Sequence, residues 1–419
     1  MIHGGWVTQL LGMLEMSWEY RSICHRSVLG WGSPLSRWEA MARQGSFDLA
    51  VVGAGIVGLA CALAAAKRGE RVVVIDRDSR ANGASVRNFG FITVTGQARG
   101  EMWRRARRTR AAWAEVAAEA GIRILQEGLV MTARRPESVA VLEAFQQTEM
   151  GEGCRLLCAR DVARHHPELS TPDLLAALSS AHELRVESRE AIPRLARWLE
   201  GRHAVTFQWE TAVRLVETSK VHTTRGVIQA DAIAVCPGDD LFALFPERIA
   251  AYGVTRCKLQ MLRLADPGFR LSAGVMSDLG LVRYAGYAAL AEAAALRTRL
   301  QREQPAHLEN GVHLIVVQSA DGSLVVGDSH HYASTPDPFS HDAVDRLILE
   351  EFAAVFGRPP SPVVERWTGA YASAHKRNVV IDTPMPGVRL VMVTTGAGAS
   401  VGLALGEDVV ADLMGEFVS

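Results

Sequence analysis

The chain has 419 residues and a formal net charge of −1, from 45 basic and 46 acidic side chains. That balance excludes a polyelectrolyte role such as coating nucleic acid or an anionic membrane. A hydrophobic share of 48% with 22% charged residues excludes wholesale disorder, and at about 150 residues per domain the length allows two or three domains. Six cysteines are too few for a disulfide framework. Cys61 and Cys236 sit in apolar runs and read as buried small side chains, while Cys154 and Cys158, four apart, read as neighbours on a helix. No apolar stretch reaches the ~20 residues that span a bilayer. A cytoplasmic protein is expected.

Met1 to Ala40 hold four of the nine tryptophans (Trp6, Trp18, Trp31, Trp38) with no helical or alternating period. Residues 1–44 read as a poorly ordered extension, with Met41 as the natural start. The rival reading is a partner-binding arm.

The strongest pattern follows. Phe47–Val52 is a short apolar strand, Gly53-Ala-Gly55-Ile-Val-Gly58 comes next, and an Ala-rich helix runs from Leu59 to Lys67. Gly69 ends that helix, and Arg71–Ile75 is a second buried strand closed by Asp76. Three glycines at this spacing permit a tight turn, close approach of backbone to a pyrophosphate, and tight helix–strand packing. The helix N-terminus turns its N–H groups toward the anion. Asp76 stands where an acid accepts ribose hydroxyls. Strand, turn, helix, strand and acid agree on a dinucleotide site.

A nicotinamide enzyme would continue with repeated βαβ units. Here a polar loop, Asn82-Gly-Ala-Ser85-Val-Arg-Asn88-Phe-Gly90, intervenes. Further strands are expected at Ala204–Trp209, just before Val213, and at Ala230–Cys236, which leads to Gly238. Near the end, the strand Leu390–Thr395 precedes Gly396-Ala-Gly398-Ala-Ser-Val-Gly402 and an amphipathic helix over Leu403–Leu413, with Glu407 and Asp408 near its start. A nucleotide domain drawn from both ends of a chain suits a long two-part cofactor such as FAD.

Over residues 45–416 these blocks resemble the flavin-dependent amine oxidases of the glycine oxidase, sarcosine oxidase and D-amino-acid oxidase family. The resemblance implies non-covalent FAD, with Ser85, Asn88 and Gly90 approaching the pyrophosphate and ring and Val213 holding the adenine through its backbone. It implies further that the Gly396–Gly402 turn aims a helix N-terminus at the flavin, where a positive helix end stabilises the reduced ring's negative charge. The blocks Gly83–Gly90 and Gly327-Asp-Ser-His-His-Tyr332 also resemble a narrower branch of that family, associated with breakdown of aminoethylphosphonate or its N-methyl derivative.

The anchors that grip a substrate carboxylate in this family look absent. Tyr371, in Trp367-Thr-Gly369-Ala-Tyr371, stands where glycine and D-amino-acid oxidases carry a bidentate arginine. Ser400 stands near the lysine of sarcosine oxidases. Either the substrate is not an ordinary amino acid, or its anion is held from elsewhere, with Arg283 first and His330 second, ahead of His331, His375, Lys376 and Arg377. Sarcosine oxidases attach flavin to a cysteine near Gly369–Tyr371, and no cysteine follows Cys257.

Other features have plain readings. Arg104, Arg105, Arg107, Arg108 and Arg110, on a helix over Glu101–Ala120, read as a solvated face. Arg185, Glu187, Arg189 and Glu190 read as surface pairs ahead of a helix over Ala191–Leu199. His330 and His331 are adjacent in extended chain, so at most one faces a ligand. No metal is expected, since sequence spacing offers them no third ligand.

The expected architecture is α/β: a Rossmann-like FAD-binding domain from 45–120, 182–245 and 376–419, interleaved with an antiparallel-sheet substrate domain from 121–181 and 246–375. The expected activity is oxidation of a small primary or secondary amine to an imine and then a carbonyl product, with oxygen giving hydrogen peroxide. No general base is named. A dehydrogenase passing electrons to a quinone or partner protein, and a non-catalytic flavin-binding protein, are the alternatives. Oligomeric state is left open.

Overall fold

The computed structural model describes residues 46–416; the readings on residues 1–44 and on Met41 lie outside the described residues. Two sheets organise the rest. The first has the order Val379–Met385, Val388–Val393, Gly226–Val235, Ser46–Val52, Val72–Ile75, Thr206–Gln208. All neighbours are parallel except the first pair. Leu49, Ala50 and Val51 are buried, as is all of Val72–Ile75. Continuous apolar runs of this kind suit parallel strands covered on both faces.

The helix Ile56–Lys67 follows the first strand and packs against Gly398–Leu413. The approach is close: a Cβ at Gly406 would stand 2.4 Å from the Ala60 carbonyl carbon, so only glycine fits there. This last helix starts at Gly398 rather than Leu403, which puts Glu407 and Asp408 in its middle. The arginines of the helix Glu101–Glu119 meet them. Arg105 is buried and pairs with Asp408 at 2.9 Å and with Glu101, while Arg108 reaches Glu407 at 2.7 Å and Asp408 at 2.8 Å. The solvated-face reading is thus corrected, because a partner helix three hundred residues away covers part of that face.

The second sheet is antiparallel apart from one parallel pair, Gly274–Met276 with Ile124–Ala133. Thr255–Leu264 is central to the site. It pairs with Val363–Ser373 along its length, with Leu324–Gly327 in its C-terminal half and with His331–Ala333 in its N-terminal half.

Two other sequence readings are corrected. Cys154 and Cys158 are not stacked on a helix: Cys154 precedes the strand Arg155–Cys158 and is buried, and Cys158 ends it and is exposed. Arg185 is fully buried rather than a surface charge, because the strand Ala176–Val186 carries it between two neighbouring strands; it pairs with Glu187 at 3.1 Å. Arg189 does pair in the open, with Glu365 at 2.7 Å.

Candidate active site

The three fingerprint glycines do different work. Gly53 has φ +102° and lies so near Cys236 that a Cβ would meet its carbonyl oxygen at 2.4 Å. A Cβ on Gly58 would sit 1.9 Å from the Gly53 carbonyl oxygen. Both are fixed by packing. Gly55, the residue before the helix Ile56–Lys67, is different: a Cβ there would meet only Ser85 Oγ, at 3.2 Å. Space is therefore left open in front of a helix N-terminus, as an incoming anion needs. Ile56 N–H donates to Ser85 Oγ at 2.9 Å, tying the Ser85 loop to that end.

Asp76 closes the second strand. Its carboxylate accepts from Ala54 N–H at 2.7 Å and from Asp78 N–H at 2.9 Å. Its carbonyl accepts from Thr211 N–H at 2.9 Å, which brings the start of the strand Val213–Glu217 beside it. Asn88 braces its own loop: its amide nitrogen donates to the Ala84 carbonyl at 2.7 Å and its oxygen accepts from Gly90 N–H at 2.6 Å.

The other half of the site comes from sheet register. Cys257 is opposite Tyr332 on one side and Tyr371 on the other, so the three form one row across one face. Lys258, one residue on, is opposite His331 and Ala370, on the other face. Between Gly327 and His331 the chain leaves the ladder, and Ser329 Oγ accepts the Gln260 N–H at 3.1 Å in its place. That break releases Asp328 and His330 into a cavity of about 710 Å³, which they line together with His313, Arg283, Tyr284, Tyr332 and Tyr371. The same cavity is lined by Gly55, Gly58, Ser85, Asn88, Gly238, Gly396 and Gly398. Gly53, Asp76, Gly90, Val213 and Gly402 do not line it. The C-terminal glycine turn touches Tyr371 directly: a Cβ at Gly396 would lie 2.9 Å from its Cζ.

Electrostatics in the wall are uneven. Burial drives Asp328 up to about 8, against the pull of Arg283. Burial and the Arg283 charge hold His313 and His330 well below the usual imidazole range, so both are neutral. Burial works against the Arg283 cation, but Tyr371, Tyr332 and Asp328 outweigh it and keep it charged. Its Nη2 donates to Tyr332 Oη at 3.1 Å. Burial also pushes the Cys257 thiol up to about 11, leaving almost no thiolate at neutral pH for covalent chemistry.

The FAD dependent oxidoreductase (DAO) family model matches residues 48–413, nearly the whole described chain. The chain belongs to this family. Solved structures similar to this FAD dependent oxidoreductase include glycine oxidase from Bacillus cereus, at 16% identity and TM-score 0.71, covering 89% of this chain and 96% of that one. L-proline dehydrogenase from P. horikoshii has 18% identity and TM-score 0.69, with 87% and 92% covered. Iminodiacetate oxidase from Chelativorans sp. BNC1 has 18% identity and TM-score 0.67, with 88% and 96% covered. At these identities the likeness is one of fold. No curated protein matches the sequence.

FAD fits the open space before Ile56, the Ser85 loop and the Gly396–Gly398 turn, which all border one cavity. Ser400, which stands near the family's lysine position, is committed elsewhere: its buried hydroxyl accepts from Thr93 N–H at 2.9 Å. Of the two adjacent histidines, His330 lines the cavity, whereas His331 is bonded to Asn310 at 3.1 Å outside it. His375 is exposed at the cavity wall, and Lys376 and Arg377 are exposed beyond it.

Sequence reasoning missed His313, Asp328 and Tyr332, while Tyr284, read with Arg283 as a binding loop, does line the cavity. The argument that His330 lacks further ligands nearby is also corrected: ligand atoms of His313, Asp328 and His330 all lie within 4.8 Å of one another. His313 is too far along the chain for spacing to reveal this, and Asp328 sits within Gly327–Tyr332 as an ordinary acidic residue. Among the described residues, no helix is long and apolar enough to cross a membrane.

Proposed function

We propose that this enzyme oxidises the C–N bond of a small amine bearing an anionic group, with a phosphonate as the preferred anion, to an imine that water then hydrolyses. The observation that carries the reading is Arg283: a charged guanidinium in the cavity wall, joined to Tyr332 and close to Tyr371, with no cation at Tyr371 or Ser400. One cation flanked by two phenols suits a tetrahedral anion with three oxygens better than a planar carboxylate, which favours a paired fork. Glycine oxidase and iminodiacetate oxidase, by name, act on amino compounds, and their fold is this one.

FAD, when bound, supplies the electron-pair acceptor. The protein's part is to hold and orient. Gly55 at the helix N-terminus would border the pyrophosphate, Gly53 and Gly58 shape the turn, and Asp76 would receive the ribose. Ser85, Asn88 and Gly90 belong to the loop that would approach the cofactor; Val213 would hold its adenine through the backbone, and Gly238 would be a further cofactor contact. The Gly396, Gly398 and Gly402 segment sets the helix end toward the flavin. Arg283, Tyr371 and His330 face the substrate. The first sheet with its helices serves as the cofactor domain and the second as the substrate domain, the second sheet also taking in Phe91–Ile92 and all of Ala176–Val186, parts of which the expected boundaries gave to the cofactor domain. Oxygen is the proposed acceptor, and the five cysteines among the described residues, none in a disulfide, support a reducing, cytoplasmic setting.

The test is kcat/KM for aminoethylphosphonate, its N-methyl derivative, glycine, sarcosine and D-alanine, with peroxide measured against amine consumed. Phosphonates should lead, with one peroxide per amine. Preference for glycine or D-alanine would overturn the anion reading, and turnover only with a quinone would overturn the oxidase reading.

A further inference from the structure

With Asp328 ionised, two acceptors in the cavity wall lack a donor. His313 Nδ1 and Asp328 Oδ1 are 3.3 Å apart, and neither has a hydrogen-bond partner among the described residues. His330 Nε2 lies 3.8 Å from Asp328 Oδ2. All three residues are buried, at 3%, 4% and 6% exposure respectively, so bulk water does not satisfy them. Leaving a buried carboxylate oxygen and a ring nitrogen unpaired is costly, and such groups in a ligand cavity point to a ligand that supplies the donors.

The second ring nitrogens define what the cluster presents. His330 Nδ1 is 2.9 Å from the Gly311 carbonyl, which only accepts, so Nδ1 carries the hydrogen and Nε2 offers a lone pair. His313 Nε2 is 3.2 Å from the Tyr284 hydroxyl, and donation there leaves a lone pair on Nδ1 facing Asp328. The rings support one another, with centroids 5.3 Å apart for Tyr284 and His313, 4.8 Å for His313 and His330, and 6.4 Å for His330 and Tyr371. The cluster thus turns lone pairs and one carboxylate toward the same point.

An ammonium group has three N–H donors and a positive charge. We infer that His313, Asp328 and His330 form the amine-binding corner of the site: they receive the N–H groups of the substrate ammonium, and Asp328 accepts one of its protons. This rests on the amine reading above and adds where the nitrogen sits. In the proton step, open once Asp328 is ionised above about pH 8, one N–H bond breaks, its electron pair stays on nitrogen, and an O–H bond forms at Asp328 Oδ1. Neutral amine remains in the cavity, the form able to lose hydride from its α-carbon. The groups facing Asp328 are His313, His330, Arg283 and Tyr284; Arg283 is the only cation in that set. A bare divalent ion at the cluster would meet the Arg283 charge uncompensated. A zwitterion brings its own anion for Arg283 and its cation for Asp328.

The test uses the FAD-loaded full chain and pairs each amine with an isostere lacking nitrogen: aminoethylphosphonate with ethylphosphonate, and glycine with acetate. Amines are read by kcat/KM and isosteres by Ki as competitive inhibitors, in the parent, Asp328→Asn and His313→Ala. Asp328→Asn should lower kcat/KM for the amines about tenfold or more and shift the isostere Ki by less than about threefold. His313→Ala should show the same split, and it decides the matter if Asp328→Asn loses flavin or does not fold. Equal losses for amine and isostere would overturn the inference, since a scaffold role weakens both alike. One equivalent of transition metal in the parent, absent from Asp328→Asn, would overturn it too. If the carboxylate pair binds better than the phosphonate pair, the anion reading fails while the amine corner stands, because each comparison is made within a pair.

Discussion

The carboxylate of Asp76 accepts a hydrogen bond from the backbone N–H of Ala54 at 2.7 Å, locking the end of the second strand to the turn between Gly53 and Gly55. A second bond from Asp78 N–H at 2.9 Å fixes the other oxygen. Each oxygen keeps a free lone pair, so a ribose hydroxyl can still donate to it. Asp76→Ala removes both backbone bonds together with any ribose contact. Bonds to a charged group contribute about 1.5–3 kcal/mol each, so FAD affinity should fall at least about tenfold. Flavin fluorescence during titration of apoprotein measures it; unchanged affinity would remove Asp76 from the cofactor site.

Gly55 and Gly58 should fail in different ways. A side chain at Gly58 collides with the Gly53 carbonyl, its Cβ 1.9 Å away, so Gly58→Val should give insoluble or unfolded protein. At Gly55 the nearest neighbour is Ser85 Oγ at 3.2 Å, so Gly55→Val should fold yet be colourless. Circular dichroism and the flavin absorbance band separate the two outcomes. The parent, with its Cys257 thiol held protonated, should be yellow and release all its flavin on acid denaturation.

Arg283→Ala should raise KM for the preferred anionic amine about tenfold or more while leaving FAD content unchanged, by loss of charge-assisted bonds. Arg283→Lys should recover part of the loss, since it restores charge without the guanidinium's reach to Tyr332. Tyr371→Phe should cost less, about 0.5–1.5 kcal/mol for one neutral hydrogen bond. A normal KM in Arg283→Ala would move the anion to another part of the wall.

Stability without substrate should depend on pH through Asp328. Its carboxyl titrates near 8 in the folded chain against an ordinary value of 3.8, a shift dominated by burial. Below the ordinary value both states hold the proton and nothing is lost. Between the two values the unfolded chain releases the proton and the folded chain keeps it, so stability falls as pH rises, and levels off above about 8. Asp328→Asn abolishes this component while His313, His330, Arg283 and Tyr284 remain. The Tm of the variant relative to the parent should therefore climb from pH 4 to pH 8, and a flat difference would contradict the buried, protonated state.

The nucleotide half of this enzyme was determined by the sequence itself. Gly53, Gly55, Gly58 and Asp76 act over one strand, one turn, one helix and a second strand, and each constraint lies within about twenty-five residues of the others. Local physics of that kind survives in a linear pattern. The substrate half was decided only by tertiary structure. Arg283, His330 and Tyr371 were candidates, but their meeting depends on the register that puts Tyr332 and Tyr371 on either side of Cys257. His313 and Asp328 join them only because the ladder breaks between Gly327 and His331 and another strand brings its first residues alongside. Burial of Arg105 against Asp408 and of Arg185 between strands has the same origin. Whether a charged side chain meets solvent or a partner is set by elements distant in sequence, and pairing register between such elements leaves no mark in the spacing of either one alone.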